Sequence, residues 1–125
     1  MGAPAPHLRT GASGEEAARV WLEAKGYRTA EKNYRRKAGE IDLVMQDGDT
    51  LVFVEVKTRS GGLNGRFGTP GEAVNATKQA KLLRAAGQYL LKFGTRPPAC
   101  RFDVVEVDAA TGAIRHIPDA FRPGW

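Results

Sequence analysis

The sequence predicts an α/β fold, a mixed sheet flanked by two helices, on three observations. Two stretches with helical spacing of apolar residues, 14–25 and 76–93, bracket a block of β-forming runs. Within that block, three runs separated by short turn signals read as an antiparallel meander. A further β-forming run at 101–107 follows the second helix, and a strand, a crossover helix and another strand imply parallel pairing with a right-handed connection.

Residues 1–12 mix Gly, Ala, Pro, His and Arg without periodicity and are expected to form a disordered leader ahead of a domain at 13–118. Ser13 followed three residues later by Glu16 matches a capping box, and Gly26 closes the segment, so Gly14 to Lys25 is the first helix. Its expected core stripe is Ala17, Val20, Trp21 and Ala24, with Ala18 and Leu22 beside it. Glu15 falls in the first turn, where the helix dipole favours an acid.

Tyr27 to Arg35, Glu40 to Gln46 and Thr50 to Thr58 are the meander strands. Arg35, Arg36 and Lys37 form a basic run before Gly39. Arg59 to Gly71, rich in glycine, reads as a loop that leaves from the end of the third strand and is placed to close over a ligand.

In the second helix Leu82, Leu83, Ala86, Tyr89 and Leu90 make an apolar stripe, while Lys78, Lys81, Arg84 and Lys92 occupy much of the rest. Such a face is most often solvated, and the absence of a balancing acid between Thr77 and Thr95 raises the phosphate-contact reading above its usual standing. Gly94 and Pro97-Pro98 end the helix. Arg101 to Val107 is the fourth strand, Ala113 to Ile117 an edge strand stopped by Pro118, and 119–125 a tail.

The anomaly lies in the meander. Leu51 to Lys57 reads as a central strand, yet Glu55 and Lys57 sit at its end and Asp42 inside its partner. Buried charges are costly unless they pair or bind an ion. Alternation puts Leu51, Phe53, Glu55 and Lys57 on one face, and Glu40, Asp42 and Val44 on one face of the neighbour.

A two-residue Gly48-Asp49 loop, or a four-residue loop from Asp47 to Thr50, sets Asp42 opposite Glu55. An Asp47-Gly48 loop sets Asp42 opposite Phe53 and Glu40 opposite Glu55. A three-residue loop or a bulge breaks the parity. Facing acids repel unless a cation intervenes, and Mg²⁺ typically takes one or two carboxylates plus substrate phosphates. The competing reading is a solvated hairpin face with scattered surface charges.

Across 125 residues a single cysteine, Cys100, excludes an intrachain disulfide framework and any zinc site built on several thiolates. Cys100 reads as a small apolar residue at a strand start. No run has the length of a membrane span and no signal-peptide core is present, so a cytoplasmic protein is expected. A net charge of +5 is consistent with a nucleic-acid partner.

The order helix, three-stranded meander, helix, strand, with Asp42, Glu55 and Lys57 on the second and third strands, resembles the PD-(D/E)xK nuclease superfamily. Within it the chain is similar to the YraN-type family of uncharacterised endonuclease-like bacterial proteins, themselves similar to archaeal Holliday-junction resolvases. The resemblance rests on Gly14-Glu15, Gly26-Tyr27, Asn33-Tyr34-Arg35, Gly39 to Val44, Val52 to Arg59, Glu72-Ala73-Val74, Lys78 and Phe102 to Val105. The Glu72 and Phe102 segments read as structural before catalytic.

The resemblance implies a restriction-endonuclease-like αβββαβ core. It implies Mg²⁺ or Mn²⁺ held by Asp42, Glu55 and the Val56 carbonyl, with Lys57 as the motif lysine and Glu15 as a helix-borne glutamate approaching the metal. Arg35, Arg36, Arg59, Lys78 and Lys81 are the expected phosphate contacts. DNA, junction preference and a homodimer follow from the resolvase likeness alone. The expected function is metal-dependent DNA phosphodiester hydrolysis; the alternative is a non-catalytic nucleic-acid-binding module that retains the fold.

Overall fold

Leu51, Val52, Phe53 and Val54 are buried at every successive position, as only a strand covered on both faces permits. That strand is the middle of the sheet. The computed structural model describes residues 12–59 and 75–122. Its elements are α1 (Ala12–Ala24), β1 (Arg28–Arg36), β2 (Gly39–Asp47), β3 (Thr50–Arg59), α2 (Ala76–Leu90), β4 (Cys100–Asp108) and β5 (Ile114–Phe121).

The five strands lie in chain order, β1 to β5. All neighbours run antiparallel except β3 and β4, which are parallel, as a helical crossover requires. The protein is therefore mixed α/β, with helices on opposite faces of a mixed sheet.

On one face, Leu82, Ala85, Ala86 and Tyr89 of α2 pack on Val44, Leu51, Phe53 and Phe102. On the other, Ala18 and Leu22 of α1 pack on Leu43, Met45, Val52, Val54, Val105 and Val107. Each fully buried Leu, Val or Phe contributes about 1.5–3 kcal/mol, so β3, which supplies both layers, is the strand the fold can least lose.

Several sequence expectations are corrected. Helix α1 begins at Ala12, so Ser13 lies within its first turn rather than ahead of it. Its buried ridge is Ala18 and Leu22, whereas Val20 is 52% exposed and Ala24 is exposed. Gly14 decides this: a Cβ there would meet the Thr58 hydroxyl at 2.0 Å. The 14-18-22 row, spaced by four, must therefore face the sheet.

Strand β5 does not stop at Pro118 but runs on to Phe121. Its pairing with β4 is irregular between Phe102 and Val104, and Asp119 has φ 52°. An edge bulge is where a strand tolerates proline. Residues 119–121 consequently belong to the sheet rather than to a tail, and Phe121 stacks on Phe102 at 5.1 Å between ring centroids. Cys100 opens β4, half-buried against the α2 cluster. The ligand-closing loop and Glu72-Ala73-Val74 lie outside the described residues, as does most of the leader. Among the described residues no helix is long and apolar enough to cross a membrane.

Candidate active site

The β2–β3 register runs from Asp47 opposite Thr50 to Leu43 opposite Val54, so the connection is the two-residue Gly48-Asp49 loop. Gly48 at φ 60° supplies the left-handed turn conformation. One step further, the same register sets Asp42 against Glu55, and there the pairing ends. In its place Asp42 Oδ2 accepts the Val56 N–H at 2.8 Å. A carboxylate has replaced a backbone acceptor at the point where the strands separate.

The other neighbour is distorted at the same level. Asn33, at φ 52°, lies across from Asp42, between the Lys32–Leu43 and Tyr34–Ile41 pairs. Ile41 joins the α2 cluster while Leu43 joins the α1 cluster, so the strict alternation expected across Glu40 to Val44 slips at Asp42.

Two glycines close the helices onto this break. Gly14 seats the start of α1 on Thr58, and the adjacent Glu15 hydrogen-bonds Asp42. From the other face, a Cβ on Gly39 would lie 2.5 Å from the Lys81 carbonyl oxygen, so only glycine lets α2 approach the start of β2 this closely. Between them lies a cavity of about 500 Å³ holding the carboxylates of Glu40, Asp42 and Glu55. Its remaining polar lining is cationic: Arg36 and Lys37 from the β1–β2 turn, and Lys78, Lys81 and Arg84 from α2.

The acids are under strain of charge. Burial, then the Asp42 carboxylate, pushes Glu15 up to about 7. Burial raises Asp42 as well, despite the opposing Val56 N–H, Glu15 and Lys57. Burial and the charge of Asp42 raise Glu55 against the pull of Lys57 and Lys78. Lys57 Nζ stands 3.4 Å from Glu55 Oε2, and burial followed by contact with Lys78 lowers its affinity for a proton. Burial first, and the neighbouring acids after it, disfavour the charged form of these carboxylates, and a cation held between them would relieve both effects.

The donor set fits a hard divalent ion. Among the described residues no group of three or more His, Cys, Asp or Glu is arranged as a complete metal cage. Mg²⁺ needs fewer, commonly one or two carboxylates. Because the N–H and C=O of a strand residue point to the same side, the Val56 N–H on Asp42 places the Val56 carbonyl toward the same gap.

The profile of the Uncharacterised protein family UPF0102 matches residues 14–107. The chain belongs to the UPF0102 family. It is 58% identical over 100 residues to a UPF0102 protein of Symbiobacterium thermophilum, covering 80% of this chain and 82% of the relative. With a UPF0102 protein of Alkaliphilus oremlandii it shares 47% identity over 117 residues, 90% of this chain and 97% of the relative. A UPF0102 protein of Nitrosococcus oceani is 42% identical over 122 residues, 95% of this chain and 96% of the relative. The UPF0102 span opens at Gly14, the glycine that seats α1, and includes every acid of the site.

In this UPF0102 chain Glu15, Asp42, Glu55 and Lys57 come together as expected from the sequence. Arg36, Lys78 and Lys81 line the cavity, and the Arg35 charge acts on Glu15. Arg59 ends β3 half-buried and is not part of the lining. Glu40 is exposed, opposite Arg35, and contributes to the field on Asp42. Sequence reasoning passed over Lys37 and Arg84 as site residues, although Lys37 belongs to the basic run and Arg84 stands one helical turn from Lys81. It also passed over Gly14 and Gly39 as docking positions, for which composition holds no signal.

Proposed function

We propose that this protein is a metal-dependent endodeoxyribonuclease with a restriction-endonuclease-like core. The observation that carries the proposal is the meeting of Glu15, Asp42, Glu55 and Lys57, from three elements, where the β2–β3 pairing ends. Burial raises both Asp42 and Glu55 in spite of their Val56 N–H and Lys57 partners.

Asp42, Glu55 and the Val56 carbonyl are the groups to hold one or two Mg²⁺ or Mn²⁺ ions. Such ions supply a polarised phosphate and a water of lowered pKa. The reaction adds a water oxygen to phosphorus and breaks one P–O ester bond, leaving a phosphomonoester and a hydroxyl. Lys57 is placed to offset charge that develops on the phosphate oxygens, the kind of contribution that strengthens toward the transition state. Glu15 would orient Asp42 from the start of α1 through their hydrogen bond. Arg36, Lys37, Lys81 and Arg84 would position the backbone by phosphate contacts that carry no sequence information.

The test is a cleavage panel of linear, single-stranded, flapped and four-way-junction DNA with Mg²⁺ or Mn²⁺, run beside Glu55→Ala. Metal-dependent cleavage by the wild type alone is expected. Binding that is steeply salt-dependent, without cleavage of any substrate and indifferent to Asp42→Ala, would replace this reading with a non-catalytic binding module.

A further inference from the structure

The cavity that holds Asp42 and Glu55 has cations on two walls. Arg36 and Lys37 stand on the β1–β2 turn, and Lys78, Lys81 and Arg84 on α2. Among the described residues Arg36, Lys37, Lys81 and Arg84 form no ion pair, although Arg19, Arg101 and Arg122 do. Charges of one sign on both walls suit a polyanion that runs between them.

Arg36 is the member held in place. Its guanidinium lies 4.3 Å over the Tyr34 ring and donates through Nη1 to the Arg35 carbonyl oxygen at 2.8 Å. Tyr34 is buried and edge-on to Tyr89 at 5.3 Å, so the ring beneath Arg36 belongs to the core. A guanidinium laid on such a ring keeps most of its planar donor fork, which matches two oxygens of one phosphate.

The walls also converge. A Cβ on Gly39 would lie 2.5 Å from the Lys81 carbonyl oxygen, so the start of β2 and α2 touch and close the cavity on that side. A volume of about 500 Å³ is within the ~300–1,000 Å³ range of small-ligand pockets, room for about one nucleotide and too little for a length of duplex. Duplex DNA, stiff over about 150 bp, carries its phosphates on the outside of a cylinder and can lay its backbone against one wall only. An unpaired strand bends freely, and enzymes that work inside a pocket take the nucleotide out of the stack.

We propose that the substrate is an unpaired DNA strand whose backbone passes between the β1–β2 turn and α2, with Arg36 as a fixed fork on one phosphate. Lys81 and Arg84 meet the backbone from the opposite wall. The inference rests on the nuclease reading above and names its substrate class, single-stranded or locally unpaired DNA.

The experiment compares three labelled DNAs: a duplex interrupted by a run of unpaired nucleotides, its fully paired counterpart, and the matching single strand. Each is incubated with the wild type and Mn²⁺, and each is titrated in Ca²⁺ by anisotropy. Cuts are expected only within unpaired nucleotides, and the single strand should bind at least about tenfold tighter than the paired duplex. Arg36 is exposed, so Arg36→Lys should keep the fold and the charge, yet weaken single-strand binding about tenfold because the fork is lost. Cutting or binding of the paired duplex on a par with the single strand, or wild-type binding by Arg36→Lys, would overturn the inference and leave the nuclease reading standing. No cleavage of any of the three DNAs would remove the nuclease reading, and this inference with it.

Discussion

Asp103 and Asp42 are both buried acids on strands of the same sheet, and their surroundings differ in kind. Asp103 is fully buried on β4, on the face covered by α1. Its Oδ1 accepts from Arg101 Nε at 3.0 Å and from the Asp119 N–H at 2.9 Å, while Oδ2 faces His116 Nε2 at 2.7 Å and Arg101 Nη2 at 3.3 Å. Arg101 continues to Asp47 at 3.0 Å and to the Tyr27 hydroxyl, and His116 meets Trp21 and Tyr27 edge-on. Burial pushes Asp103 up, but these partners outweigh it and hold the carboxyl below its ordinary range. Asp42 has the Val56 N–H and another acid, and burial prevails. A buried acid that is saturated ties elements together; one left in surplus is kept for something that is not in the fold.

The largest expected contrast comes from removing each acid. Asp42→Asn or Glu55→Gln, which keep an acceptor for the Val56 N–H and for Lys57, should abolish metal-dependent cleavage while leaving the urea midpoint nearly unchanged. Asp103→Ala should cost about 3–5 kcal/mol of stability, because Arg101, His116 and the Asp119 N–H lose a shared buried acceptor at once. Lys57→Ala should lower the cleavage rate constant by about 10²–10³-fold while DNA binding falls far less, as for loss of a group that acts mainly in the transition state.

The pH dependence of melting sharpens the same comparison, since the two regions respond with opposite sign. Glu15 is raised from an ordinary 4.5 to about 7, so in metal-free protein its contribution is present below about 4.5 and lost as pH rises through about 7. Asp103 is lowered from 3.8, so its contribution is present above 3.8 and lost as pH falls through the folded value beneath it. Glu15→Gln should flatten the fall in melting temperature between about pH 5 and pH 8 and leave the acid limb unchanged. The smallest effect is expected from Lys81→Ala, which should weaken DNA binding alike for all sequences and reduce the salt slope by about one.

The sheet was legible because its strands announce themselves: Leu51 to Val56 is too apolar to lie anywhere but the centre, and Asp47-Gly48-Asp49 marks the turn. Turn parity put the acids of both strands on one face for each even-length loop but left open whether Asp42 or Glu40 stands opposite Glu55, which the Gly48-Asp49 loop decides for Asp42. The orientation of α1 was not legible. Two candidate ridges share that helix, and the choice between them is made by the contact of Gly14 with Thr58, far apart in the chain. The passage of β5 through Pro118 depends on a bulge formed against Phe102, and the approach of α2 to the start of β2 depends on the absent side chain of Gly39. The Phe102 to Val105 segment was legible as structural, but the Arg101 and His116 partners that hold Asp103 come from tertiary pairing.

The most direct test of the account is a paired measurement on Asp42→Asn, which keeps the shape and removes the charge. With Mn²⁺ and the DNA that the wild type cleaves best, the variant should show no cleavage above background. In metal-free buffer it should melt at or above the wild-type temperature, because the surplus charge is gone. Cleavage at the wild-type rate, or a melting temperature clearly below that of the wild type, would contradict the claim that Asp42 serves chemistry rather than the fold.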